Sequence, residues 1–126
     1  MVRAGYEMWN AGDVEGMAAL CLSRDLEWHN SPEWPGQRVY NGSSRVTRFL
    51  KEDVADIIEL GDIEIEGMDV YGDEIVITLQ ARTRGAQSDL DIGKIRLFHV
   101  ARLEGGKVNR VRVYLDERQA LEAVVQ

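Results

Sequence analysis

The sequence predicts a single α+β domain spanning residues 1–126, with helices first, antiparallel strands second and a short helix last. Three observations carry this prediction. Apolar residues near the N-terminus and around Leu50 recur at the three-to-four spacing of one helix face. From Ile63 onward they alternate with polar residues, the period of a half-buried strand. Glycine-bearing turns at Tyr71-Gly72-Asp73 and Gly105-Gly106 divide that second half into hairpins. No repeat, low-complexity tract or linker interrupts the 126 residues, a typical length for one domain.

Val2, Gly5, Tyr6 and Trp9 fall at i, i+3, i+4 and i+7, the stripe of a first helix that Asn10-Ala11-Gly12 ends. The chain enters that helix almost at its first residue, as a chain lacking a few preceding residues would. Asp13 is placed to cap a second helix, with Val14, Met17, Ala18 and Cys21 on one face. Arg24-Asp25 reads as a turn, and Leu26 to Asn30 as a short strand. Pro32 and Pro35 cannot donate to a strand ladder, so Ser31 to Gly36 is a loop that holds Trp34. Gly42-Ser43-Ser44 opens a third helix whose stripe is Val46, Phe49, Leu50 and Val54. A segment from Ile57 to Val70 carries Ile63 and Ile65 in alternation, with Gly67 marking a bulge. Glu74 to Arg84 is a strand with Ile75, Ile77, Leu79 and Ala81 on one face; Gly85 to Asp89 connects it onward. Leu90 to Leu103 is a long strand, read with Phe98 and Val100 inward and His99 outward. Val108, Val111, Val113 and Leu115 lie in the last strand. Asp116 is the N-cap of a terminal helix and Gln119 completes an acidic capping box; Ala120, Leu121 and Val124 give the helix a docking face.

With 22 acidic against 15 basic residues, the net charge is −7. That argues against nucleic acid, whose binding needs clustered positive charge, and against an anionic membrane surface. No apolar run reaches the roughly 18 residues of a membrane span, and residues 1–10 lack the apolar centre of a secretion signal. Cys21 is the only cysteine, which excludes an internal disulfide and leads us to expect a reducing, cytoplasmic compartment. It lies in the apolar stretch from Met17 to Leu22 and reads as a packed thiol. Two distant histidines and this cysteine show no ligand spacing, so no metal is expected. No glycine loop opens a helix to cradle a phosphate, and no cofactor is expected.

Asn10-Ala11-Gly12-Asp13, then Tyr40-Asn41-Gly42, then Gly106-Lys107-Val108 through Tyr114-Leu115-Asp116 stand in a distinctive order and spacing. Together they resemble the SnoaL-like branch of the nuclear transport factor 2-like superfamily. The run from Asp116 to Ala123 is similar to the tail of many uncharacterised bacterial members. The resemblance covers essentially the whole chain. It implies a cone, in which a curved antiparallel or mixed sheet is wrapped by three N-terminal helices plus the short C-terminal helix around an apolar pocket. It also implies a homodimer through the outer sheet face. It fixes no activity, because the superfamily includes isomerases, cyclases, epoxide hydrolases, dehydratases and non-catalytic binding proteins.

Each of those chemistries needs particular groups. Ketosteroid isomerases set a carboxylate base beside a tyrosine and a protonated acid that stabilise an enolate oxygen. Matched on the motifs above, the tyrosine position falls on Gly5, with Tyr6 about 100° away around the helix, the base on Asn30 and the acid on Phe98. Limonene-type epoxide hydrolases need an Arg-x-Asp pair, which this sequence lacks. SnoaL-type cyclases use an acid/base residue in the pocket, where the last strand offers Val111, Val113 and Leu115. The best catalytic set is then His29, an imidazole by the pocket mouth, with Asn30 or Arg96. The plain alternative for His29 is an edge histidine bonded to backbone. Asn30 either orients a ligand carbonyl or ends its strand. Arg96 either enters the cavity with an acidic partner or turns to solvent at a bulge, because a lone buried cation is costly. His99 reads as a dimer-interface or solvated residue. The ligand-binding set is Trp28, Asn30, Trp34, Tyr40, Phe49, Phe98 and Val113. The expected function is binding of a small apolar or aromatic molecule. A cyclase- or isomerase-like enzyme is the alternative, and a protein-interaction module on the sheet face the second alternative.

Overall fold

The computed structural model describes residues 2–32, 37–54, 63–82 and 94–124. Trp34, the residues from Ile57 to Asp62 and the connection from Gly85 to Asp89 lie outside the described residues.

Two short helices open the chain, α1 (Val2–Asn10) and α2 (Val14–Cys21). Asp13 caps α2 as expected, its Oδ1 accepting from the Gly16 N–H at 2.9 Å. The two helices cross at Gly5, where an added Cβ would lie 2.9 Å from Cys21 Sγ. Only glycine lets α1 sit that close. At the end of α1, the Asn10 side chain imitates a strand partner: Nδ2 donates to the Ile63 carbonyl at 2.8 Å and Oδ1 accepts from the Ile63 N–H at 3.1 Å.

β1 (Leu22–His29) leaves α2 without a loop. Arg24-Asp25 is therefore not the turn that the sequence suggested. It lies within an irregular stretch of β1, where the register against the last strand jumps between Leu22 and Glu27. The Ser23 hydroxyl donates to Asp25 Oδ1 at 2.5 Å there, giving this exposed stretch a local polar contact. β2 (Val39–Asn41) pairs antiparallel with β1. Gly42, at φ +92°, then turns the chain into α3 (Ser43–Phe49), which continues as a π-helical turn over Leu50–Val54.

Four antiparallel strands complete the sheet: β3 (Glu64–Tyr71), β4 (Glu74–Arg82), β5 (Lys94–Glu104) and β6 (Lys107–Tyr114). The order across the sheet is β2-β1-β6-β5-β4-β3, with β1 and β6 parallel. The bulge expected at Gly67 is present, as a register shift between Ile65 and Gly67. α4 (Glu117–Val124) ends the described chain. Asp116 caps it as expected, with Oδ1 accepting from the Arg118 and Gln119 N–H groups at 2.7 and 3.4 Å.

The sheet has two apolar faces of unequal size. The inner face packs against α1, α2 and α3 and forms the main core, with Leu26, Val46, Ile77 and Leu79 almost wholly buried. The outer face carries a smaller cluster of Val76, Phe98, Val100 and Ala120, which α4 covers. This sorts β5 opposite to the sequence reading. Ile77, His99 and Val113 stand side by side on β4, β5 and β6, as do Thr78, Phe98 and Tyr114. His99 is thus inward, and Phe98 is outward beneath α4. Both parities of β5 are apolar, and the docking face of α4 claims the bulkier one.

The rest of the outer face is charged. Arg110 and Arg112 reach Glu74 Oε2 at 3.3 and 2.7 Å, and Arg96 pairs with Glu66 at 3.0 Å. Arg102 donates to Asn109 at 2.9 Å.

Candidate functional site: an apolar cavity with one polar pair

A cavity of about 110 Å³ lies between the inner sheet face and the helices. Its wall is built from the α1 stripe (Gly5, Tyr6, Trp9), from Cys21, Leu22, Trp28 and Asn30, from Phe49, Leu50 and Val54, and from the inner positions of the sheet. Helical spacing on α1 and alternation on β5 therefore aim at one point, and Tyr6 and His99 meet there. The Tyr6 hydroxyl and His99 Nδ1 are 2.8 Å apart. The His99 ring also stands edge-on to Trp28, with centroids 5.4 Å apart at 79°, and Trp28 in turn packs on Phe49 at 6.2 Å.

Tyr6 and His99 each keep a part-exposed surface, and both line the cavity among its apolar side chains. Burial favours the uncharged form of each. It pushes the Tyr6 phenol above its ordinary range, with a smaller push from Cys21, and pushes the His99 imidazole down to about 4. Burial also raises the Cys21 thiol. The lining residues include no Asp, Glu, Lys or Arg, so the described wall is neutral at pH 7. The indole N–H of Trp9, another lining residue, has no hydrogen-bond partner among the described residues.

Of the residues singled out in the sequence, Trp28, Asn30, Phe49 and Val113 line the cavity. Asn30 is committed structurally as well. Its Oδ1 accepts the Trp28 indole N–H at 2.8 Å and its Nδ2 donates to the Gln37 carbonyl at 2.9 Å, so it fastens the far side of the loop to the cavity wall. Tyr40 stands one layer back, stacked on Phe49 with centroids 4.4 Å apart. Trp34 lies outside the described residues.

Phe98 does not line the cavity, for the parity reason given above. Arg96, on the same outer parity, pairs with Glu66 on the exposed face instead of entering. His29 alternates outward between Trp28 and Asn30 and pairs with the exposed Glu27, at 3.0 Å. His29, Asn30 and Arg96 are thus not brought together. Among the lining residues that the sequence reading left out, Tyr6, Trp9 and His99 carry the polar groups of interest. Tyr6 and Trp9 were legible, since both belong to the α1 stripe; the 100° offset from Gly5 does not take Tyr6 out of a wall wide enough to hold both. For His99, the usable signal was Leu97, His99, Ala101 and Leu103 at alternate positions, with the competing parity needed to receive Ala120 and Val124 of α4.

No three His, Cys, Asp or Glu side chains come together among the described residues. No helix among them is long and apolar enough to cross a membrane.

The SnoaL-like domain profile matches residues 2–111, and the chain belongs to that family. Its fold is that of the nuclear transport factor 2-like proteins. One similar structure is a hypothetical protein of ketosteroid isomerase-like fold from Catenulispora acidiphila, in complex with trimethylamine. It is 16% identical, with a TM-score of 0.71 over 98% of this chain and 90% of that one. A nuclear transport factor 2-like protein from Burkholderia thailandensis is 17% identical, with a TM-score of 0.71 over 99% of this chain and 94% of that one. A putative SnoaL-like polyketide cyclase from Mesorhizobium loti is 17% identical, with a TM-score of 0.59 over 89% of this chain and 93% of that one. At such identities these likenesses concern the fold alone. No curated protein matches the sequence.

Proposed function

We propose that this SnoaL-like chain binds a small, neutral, largely apolar molecule, of about one ring, inside the cavity. The observation that carries the reading is a void of about 110 Å³ walled largely by apolar side chains, with the hydrogen-bonded pair Tyr6 and His99 in its wall. Apolar walls with few, placed polar groups are the usual character of a ligand site. Size favours a small ligand: an apolar cavity of roughly 150 Å³ holds benzene, and this void is of that order. Charge limits it too, because the described wall has no counter-ion to offset the desolvation of an ion. The trimethylamine complex of the Catenulispora protein is a precedent for a small guest in this fold.

The test is a titration of the native chain with neutral monocyclic compounds, followed by NMR. Binding in the cavity will move the signals of Tyr6, His99 and the indole groups of Trp9 and Trp28. Shifts confined to outer-face residues such as Arg96 and Arg112 would overturn the reading.

A cyclase- or isomerase-like enzyme is the second reading, and the Tyr6–His99 pair favours it. Binding is preferred on magnitude. A general base works best near the operating pH, and an imidazole held at about 4 is about a thousandfold less basic than one matched to pH 7. The carboxylate position of the isomerases is Asn30, which does not take up a proton.

We further propose a homodimer through the part of the outer face that α4 leaves open. A twofold contact sets each patch against its own copy, so the arginines and glutamates of this face can meet their opposites on the second copy.

A further inference from the structure

We infer that the Tyr6–His99 pair makes the cavity selective for a guest bearing a hydrogen-bond acceptor, such as a carbonyl oxygen, over a guest bearing only a donor. This rests on the ligand-binding reading and says which chemistry that site selects.

A neutral imidazole carries one N–H and one lone-pair nitrogen, and the partner of one nitrogen decides the state of the other. His99 Nδ1 is 2.8 Å from the Tyr6 hydroxyl. Two arrangements satisfy that contact. In the first, the phenol donates to a bare Nδ1 and the ring proton sits on Nε2. In the second, Nδ1–H donates to the phenol oxygen, and the phenol proton and the Nε2 lone pair both go without partners. The first joins the more acidic donor to the more basic acceptor. It leaves over only an imidazole N–H and the weaker acceptor, the phenol oxygen. The described residues offer the Tyr6 proton no other acceptor, and a buried hydroxyl without one is costly. The Nε2–H tautomer is therefore selected.

Among the described residues nothing pairs with Nε2. His99 lines the cavity, and with Nδ1 taken by Tyr6 its Nε2 is the ring nitrogen left to meet a guest. A carbonyl oxygen placed there accepts Nε2–H and completes the chain from Tyr6 through the imidazole to the guest. A donor-only guest meets a second donor. It bonds at Nε2 only by moving the ring proton to Nδ1, which breaks the donation from Tyr6, and otherwise has the weak phenol oxygen as its acceptor. Tyr6 is accordingly a positioning residue that acts through His99.

The experiment uses three five-membered rings of similar size on the native chain: cyclopentanone as acceptor, pyrrole as donor, and methylenecyclopentane as the apolar isostere of the ketone. Their affinities are measured by NMR titration, and the His99 tautomer is read from its ring 15N shifts. The expected result is an Nε2–H tautomer and a cyclopentanone affinity at least about tenfold above that of pyrrole, the ratio one placed hydrogen bond supports. In Tyr6→Phe the tautomer preference weakens and the ratio falls below about threefold. An Nδ1–H tautomer in the native chain, or pyrrole bound as well as the ketone, overturns the inference and leaves the cavity a binding site. If none of the three rings perturbs the lining residues, the binding reading itself falls. The tautomer measurement needs no variant, so a Tyr6→Phe chain that failed to fold would not shield the inference.

Discussion

His99 pays for its place in the wall with a lost proton affinity, and that has a thermodynamic signature. Its imidazole ordinarily titrates near 6.5 and is held at about 4 in the folded chain. Between those values the unfolded chain binds the proton and the folded chain does not. Stability from this group is therefore complete above pH 6.5 and declines as the pH falls toward 4. The shift sets the loss at roughly 3 kcal/mol once both states are protonated. Urea denaturation midpoints measured from pH 7 down to pH 4 should fall accordingly. The decline should flatten in His99→Phe relative to the native chain; an equal decline in both would show that other groups cause it.

At the scale of elements, the two faces of β5 divide the molecule's labour. Phe98, buried beneath α4, belongs to the outer cluster and not to the cavity. Phe98→Ala should cost about 3 kcal/mol in urea unfolding while leaving cavity ligands and the His99 signals in place, since the truncation empties the far side of the sheet. Loss of cavity binding at unchanged stability would contradict this arrangement. The same strand shows what the sequence revealed and what it hid. Elements with one apolar face, such as α1 with Val2, Gly5, Tyr6 and Trp9 or β4 with Ile75, Ile77, Leu79 and Ala81, were read correctly, because only one burial pattern satisfied them. β5 has Leu97, Ala101 and Leu103 on one parity and Phe98 and Val100 on the other, so alternation alone left its orientation undecided. Its register is fixed by Ile77 and Val113 on neighbouring strands and by the docking of α4, all of them contacts between distant parts of the chain. Most of the fold was thus legible locally. The polar pair of the site was not, because it joins residues 93 positions apart.

For the whole molecule, the open part of the outer face is the surface on which two copies would meet. α4 already covers Val76, Phe98 and Val100, so little apolar area remains there and charge must carry the association. Light scattering should give a dimer at low ionic strength that dissociates as salt is added, because exposed ion pairs are screened. A monomer at low salt would remove the proposal. The order of strands across the sheet carries a different consequence. β6 lies between β1 and β5, joining the half made by the first helices to the half made by the hairpins. Yet it is the last of the described strands in sequence. Until Lys107 to Tyr114 is in place, the nascent chain holds two unjoined pieces with raw edges, and nothing holds His99 against Tyr6. The hollow therefore closes only after every other described strand has been made, so a chaperone that shields those edges has to stay bound until β6 docks.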